Sequence, residues 1–230
     1  MGVLAGLLGL IGVFWLLLKT LGNTSEAKYA GQSLSYWRQQ LDGRDTGASN
    51  QAYVVVNGQI VPRLIDAMFH DTDDSKIRMA AVDFMNSLPG IQIYYLNASG
   101  RRSQAASSLG ELGPAAKAAL PALLEALTSK TAGLQASAVV SLGKIHSAPE
   151  VVIPLLIPLL TNEDCNAEAA TALGDYGSLA RAAAPQIVPM LKPQNHRVLV
   201  LEARDRDVIA AARAALKKID PAAAAQAGVK

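Results

Sequence analysis

The sequence predicts an all-α chain: a right-handed α-solenoid of about five antiparallel helix pairs, preceded by one transmembrane or signal helix. Three observations carry this. A leucine recurs at Leu109, Leu142, Leu173 and Leu216. An alanine stands four residues before each (Ala105, Ala138, Ala169, Ala212), and a larger side chain three residues after (Leu112, Ile145, Tyr176, Ile219). Steps of four and three put these residues on one stripe of a helix, and the fixed small residue implies close approach of a neighbouring helix. Ala81, Met85 and Leu88 fit the same frame.

The second observation is an alternating proline mark. Val61-Pro62, Leu120-Pro121, Ile153-Pro154 and Ala184-Pro185 each open an apolar run. Proline is tolerated in a first helical turn, where its missing N–H has no partner to lose. These prolines therefore predict helix starts, whereas Pro158 and Pro189 lie deeper and predict a kink or a shifted start. Pro121 and Pro154 are 33 residues apart, and Pro154 and Pro185 are 31 apart, a helix-pair period. The third observation is the N-terminus. Residues 1–18 carry no charged side chain and are almost wholly apolar. As a helix they would be about 27 Å long, close to a bilayer's hydrocarbon core of about 30 Å.

The run from Arg101 to Leu124, RRSQAASSLGELGPAAKAALPALL, resembles a HEAT repeat. More narrowly, it is similar to the short bacterial HEAT-like repeats also found in phycobilisome bilin lyases. Arg78-x-x-Ala81 after Asp73-Asp74 resembles the inter-helix turn and second-helix start of that repeat. The resemblance covers residues 33–219 and is strongest over 101–191. It implies a fold more than a function, because HEAT-like arrays serve as scaffolds, adaptors and, less often, enzymes.

Half of the 230 residues are apolar but only 5% are aromatic, so the core is one of Ala, Leu, Val and Ile. The net charge of +2 is too small to imply a nucleic-acid or membrane-surface partner. The single Cys165 permits no internal disulfide and reads as a packed core thiol.

In chain order, residues 1–19 are a transmembrane anchor or a signal segment. The signal reading lacks a basic n-region but has a small-x-small site at Ser25-Glu26-Ala27. Lys19, Lys28 and Arg38 follow the apolar run and favour a cytoplasmic C-terminal side. Many exported bacterial proteins begin in the same way, so the localisation is a single-pass membrane protein of open sidedness, or a secreted or periplasmic one after cleavage. Residues 20–32 read as a tether and 33–220 as the repeat domain. Ser33 is an N-cap for 34–41. The stretch Gly31-Gln32-Ser33-Leu34-Ser35-Tyr36-Trp37 resembles one found just after the tether in anchored bacterial HEAT-like proteins. Trp37 is expected to cover the open end of the first repeat.

Residues 42–50 are loop-like. Ala52–Val56 is β-branched and Asn57-Gly58 suits a hairpin turn, but the repeat frame places a short or distorted helix there. Residues 59–69 are a first helix, and 71–75 a polar turn with Asp74 or Ser75 as cap. This acidic run is not a calcium loop, since Lys76 and Val82 stand where glycine and glutamate are required. From 89 to 100 the frame breaks: Ala81 to Ala105 is only 24 residues, so a first helix is missing or reduced to 91–96. A loop at 192–205 stretches the last repeat and is basic, with His196, Arg197, Arg204 and Arg206. Residues 207–219 close the array, and the Ala-rich 221–230 is a flexible, frayed tail.

No catalytic constellation is present. His70, His146 and His196 lack metal-ligand spacing, and there is no nucleophile elbow, P-loop or dinucleotide fingerprint. His146 ends a helix, where a C-terminal cation is favoured. The expectation is therefore a non-enzymatic scaffold without cofactor, metal or small-molecule substrate. It would bind a protein partner through the second helices, taken to line the concave side, and through the 192–205 loop. The candidate contact residues are Arg101, Arg102, Lys144, His196, Arg197 and Arg204. Nucleic acid is not expected, because Glu111, Glu168 and Asp175 interrupt the basic residues. The alternative is a bilin-lyase-like enzyme or enzyme subunit, as the resemblance implies.

Overall fold

Each predicted helix carries an apolar stripe that one neighbour cannot cover, and this drives the chain into successive layers. The computed structural model describes residues 28–43, 46–72, 74, 76–87, 96–192 and 203–229, with only the backbone for 46, 77, 78, 81, 84, 85 and 203. The apolar segment 1–19 and the candidates His196 and Arg197 lie outside them. Among the described residues, no helix is long and apolar enough to cross a membrane.

Residues 28–32, expected to belong to the tether, are part of an ordered hairpin, and 20–27 lie outside the described residues. A small antiparallel hairpin, β1 (Lys28–Tyr29) and β2 (Gln32–Ser33), precedes helix α1 (Leu34–Leu41). Ser33 caps that helix as predicted, its Oγ accepting from the Tyr36 N–H at 3.2 Å. Trp37 is buried and its Nε1 donates to the Tyr29 carbonyl at 2.7 Å, which fixes the hairpin to α1.

Helix α2 (Thr46–Val55), a π-helical turn (Val56–Ile60) and α3 (Val61–His70) follow without a break. The strand-like residues are thus a distorted helix. Pro62 has no N–H to offer the carbonyl four residues back, so the regular ladder must be interrupted there. The extra residue in the π turn shifts the buried stripe from Ala52, Val56 and Ile60 to Val61, Leu64 and Met68.

Helix α4 (Lys76–Asn86) corrects the repeat assignment. It was expected to be the second helix of the pair begun by α3. Instead α3 packs on α5 (Ala98–Glu111). The Asp74 Oδ1 accepts from the Ala98 N–H at 2.6 Å, so the chain leaves and rejoins the array at one place. The 24-residue spacing therefore reflects an inserted excursion carrying α4, and α3 is itself the first helix that seemed to be missing. Ala81, Met85 and Leu88 have no described side chains.

The array then becomes regular. A 3-10 stretch (Gly113–Ala119) leads into α6 (Leu120–Ala126), which pairs with α7 (Ala132–Ile145). Helix α8 (Pro149–Leu156) and a 3-10 turn (Ile157–Thr161) adjoin α9 (Asn166–Asp175). A second 3-10 stretch (Gly177–Ala183), α10 (Ala184–Ile187) and a last 3-10 turn (Val188–Leu191) adjoin α11 (Ala203–Ile219). Pro62, Pro121 and Pro185 stand in first turns as predicted. Pro154 does not: α8 begins at Pro149 and Pro154 lies inside it. Pro158 and Pro189 each convert α-helix to 3-10, the predicted disturbance. Gly113 and Gly177 end α5 and α9 at φ +58° and +56°, conformations open to glycine.

Helices α5, α7, α9 and α11 form the second layer and pack in that order, each on the next, while the first helices of the pairs form the first layer. Leu109, Leu142, Leu173, Leu216 and their four alanines are all buried in one continuous core. The closing helix starts at Ala203, which places Arg204 and Arg206 on α11 and not in the preceding loop. The tail is also corrected. Asp220 Oδ1 accepts from the Ala222 and Ala223 N–H groups, both at 3.1 Å, and starts α12 (Pro221–Gln226). Gly228 at φ +74° ends it, and the Val229 N–H reaches the Ala224 carbonyl at 2.9 Å. This is a Schellman closure, so the Ala-rich end is an ordered cap over the last helix.

Candidate interaction surface

The second-layer helices come together at glycines. Gly110, Gly143 and Gly174 each follow a marker leucine. A Cβ on Gly110 would lie 2.8 Å from the Ser141 Cα, on Gly143 2.8 Å from the Ala172 Cα, and on Gly174 2.9 Å from the Ala215 Cα. Ser141, Ala172 and Ala215 each immediately precede the next marker leucine, so one contact is used three times. The alanine four residues before the leucine is buried, but the closest approach is at the glycine. At the other ends, a Cβ on Gly133 would lie 3.1 Å from the Ser103 Oγ. N-terminal end meets N-terminal end and C-terminal meets C-terminal, so α5 and α7 run parallel.

Polar groups reinforce the stack. The Ser141 hydroxyl is fully buried and lies 2.8 Å from the carbonyls of both Ala106 and Ser137, which share its proton. The Tyr176 hydroxyl bridges the Leu142 and Ser147 carbonyls at 3.1 and 2.9 Å, closing the C-terminus of α7. Its ring stacks on His146, with centroids 4.8 Å apart, and His146 is the left-handed residue that ends α7. Burial, with a smaller contribution from the Glu150 carboxylate, pushes the Tyr176 phenol up to about 12. Cys165 is buried, and burial, then Glu168 and Asp164, pushes its thiol up to about 11. That protonated thiol is a packed group, as expected.

The predicted contact residues do not form one patch. Arg101 is a clamp within the fold. Its Nε and one terminal nitrogen bind the two Asp71 oxygens at 2.7 Å each, and its other terminal nitrogen donates to the Leu96 carbonyl at 2.8 Å. This planar fork closes the excursion that carries α4. Arg102 is half-buried at the start of α5. Lys144 is exposed near the end of α7, about 14 Å further along the helix direction than the position matching Arg102, at 1.5 Å per residue. Arg204 is exposed at the start of α11.

Lys144 belongs instead to a row of alternating sign. Glu111, Lys144, Asp175 and Lys218 each stand two residues after a marker leucine. Lys218 Nζ reaches the Asp175 Oδ1 at 3.1 Å, and Glu111 faces Arg38 of α1 at 3.9 Å. Exposed pairs of this kind contribute little stability but disfavour a slipped register.

Two junction features were not legible as site residues. Gln135, seven residues before Leu142, donates from Nε2 to the Leu127 carbonyl at 2.6 Å. Its Oε1 accepts from the Asn162 Nδ2 at 3.1 Å, so it bridges its own pair to the next turn. The outward positions of the second-layer helices are mostly small: Ser103, Ser107, Ala136, Ser137, Val140, Ala167 and Thr171 are partly or fully exposed. Among the described residues, no group of three His, Cys, Asp or Glu side chains could hold a metal ion.

Residues 101–129 match the PBS lyase HEAT-like repeat family model. The matched stretch runs from α5 through α6, one second-layer helix and the first-layer helix that follows it. No curated protein matches the chain. The match shows a HEAT-like repeat at α5 and α6, and helix pairs that succeed one another along one stack give the chain a helical solenoid fold.

Proposed function

We propose that this protein is a membrane-tethered scaffold that binds a protein partner on the outward face of α5, α7 and α9. HEAT-like repeats generally mediate protein interactions. The observation that carries the reading is the row of small, partly exposed residues on those helices, Ser107, Val140 and Thr171 among them. Small side chains let another backbone approach closely and lose little rotamer entropy on contact. The tether rests on the uncharged run of residues 1–18. The basic 192–205 stretch, with His196, Arg197 and Arg204, is a second contact proposed from its sequence alone. The protein is read as non-enzymatic, without cofactor or small-molecule substrate.

The test is affinity capture with the full chain in detergent, comparing the parent with Val140→Glu and Thr171→Arg. Thr171 is exposed and Val140 half-buried, so thermal melts of both variants beside the parent establish that they remain folded. Stoichiometric recovery of one protein, lost on either substitution, is the predicted result. Undiminished capture by both variants would overturn the surface. Co-purification of a bound tetrapyrrole would favour the lyase-type alternative.

A further inference from the structure

The first junction between helix pairs differs from the second in a way that points outward. Arg102 and Gln135 occupy the same place, seven residues before Leu109 and Leu142. Gln135 finds partners at both ends of its amide, one of them the Asn162 side chain from the following turn. One repeat earlier, 33 residues back, the counterpart of Asn162 is Ser129. Its hydroxyl accepts from the Thr131 N–H at 3.1 Å and is too short to cross the junction. The Arg102 Nε is buried and has no hydrogen-bond partner among the described residues. Beside it opens a cavity of about 190 Å³, lined by Met68, Phe69, Arg102, Glu125, Ser129 and Leu134.

A buried donor without a partner is unfavourable, so an acceptor that reaches it relieves that penalty on binding. Arginine only donates, so the complement is an acceptor, and a carboxylate makes the stronger charge-assisted bond. The cavity is below the roughly 300–1,000 Å³ of small-molecule sites, which suits one side chain. Met68, Phe69 and Leu134 give it an apolar wall. Glu125 also lines the cavity; it opposes an incoming acid, but it is exposed, so solvent and salt screen its charge more than that of the buried Arg102 Nε.

We infer that this cavity seats one aspartate or glutamate side chain of a protein partner, with an aliphatic neighbour against Met68, Phe69 and Leu134. The inference rests on the protein-binding reading above and gives it a chemical specificity: an acid beside an aliphatic residue. It also assigns Arg102 a role distinct from that of Arg101, which the fold already uses.

The test is a titration of the full chain in detergent micelles, reading the Arg102 Nε–H resonance, assigned by its loss in Arg102→Lys. The probes are acetyl-Glu-Leu-amide and acetyl-Gln-Leu-amide. A saturable shift is expected with the first, and binding of the second about five- to tenfold weaker, as expected for a neutral acceptor. Ser129→Asn places in the first junction the side chain that fills the second. It is expected to abolish the shift while the melting temperature stays at or above that of the parent. No saturable shift with either probe, equal binding of both, or an unchanged response in a folded Ser129→Asn protein would each overturn the seat. Partner capture that survives Ser129→Asn but not Val140→Glu would remove the seat and leave the helical surface standing. The reverse pattern would remove that surface and keep the seat.

Discussion

Replacing Gly143 with alanine tests the packing of the stack at one of its three close helix contacts. The new methyl would sit 2.8 Å from the Ala172 Cα and 2.9 Å from its Cβ. Both atoms belong to a neighbouring helix, so no side-chain rotation relieves the clash and α9 must move by about 1 Å to reach ordinary contact. Overpacking of this kind costs up to about 3 kcal/mol. Alanine returns about 1 kcal/mol of helix propensity, leaving a net loss of about 1–2 kcal/mol. For a domain of this size that lowers the melting temperature by roughly 2–8 °C. Gly133→Ala, on the same helix, is the control. Its methyl would meet only the Ser103 hydroxyl, at 3.1 Å, a group that can rotate away. That variant is expected to be neutral or slightly stabilised. Urea and thermal melts of the two variants beside the parent give the comparison. A Gly143→Ala protein as stable as Gly133→Ala would refute the close helix approach.

Other perturbations follow from the same contacts. Arg101→Met leaves the Asp71 carboxylate partly buried beside an apolar chain; a loss of about 1–3 kcal/mol is expected, read by urea melts, with faster proteolysis between residues 74 and 98. Tyr176→Phe removes the hydroxyl that closes α7 and should cost about 1 kcal/mol. Stability should also fall in alkali. The folded chain holds the Cys165 and Tyr176 protons more tightly than the unfolded chain, so their contribution is complete below pH 9 and is lost as pH rises from 9.0 to about 11 for Cys165 and from 10.0 to about 12 for Tyr176. Melts between pH 8 and pH 12 measure that slope, and Cys165→Ala with Tyr176→Phe should flatten it; an unchanged slope would contradict the assignment.

The array was legible because its signal is local and repeated. A leucine with an alanine one turn earlier specifies a buried stripe whatever lies beyond it, and all four such stripes are buried. What a residue touches across a junction was less legible. Gly110, Gly143 and Gly174 follow the leucines in plain sight, but glycine inside a helix reads as a weakness until its neighbour is known. Arg101 and Arg102 are adjacent and alike in sequence, yet one faces Asp71 and the other a cavity, because consecutive helical residues point about 100° apart. The excursion carrying α4 was misread because spacing alone cannot distinguish a lost helix from an inserted one. The ordered tail did carry its signals: Asp220 before Pro221 is an N-cap, and Gly228-Val229 is a Schellman ending. Low side-chain bulk in the Ala-rich run suggested too little burial, but Ala224 is buried all the same.

The stack itself is tested most directly by joining consecutive second-layer helices. In Ser103→Cys with Gly133→Cys the two Cβ atoms would lie 4.0 Å apart, within disulfide range. Ser103→Cys with Ala167→Cys places its thiols at matching positions two helices apart. The account predicts that the first pair oxidises to an intramolecular disulfide in the folded full chain and the second does not. Cross-linking of the second pair, or failure of the first in a folded protein, would contradict it.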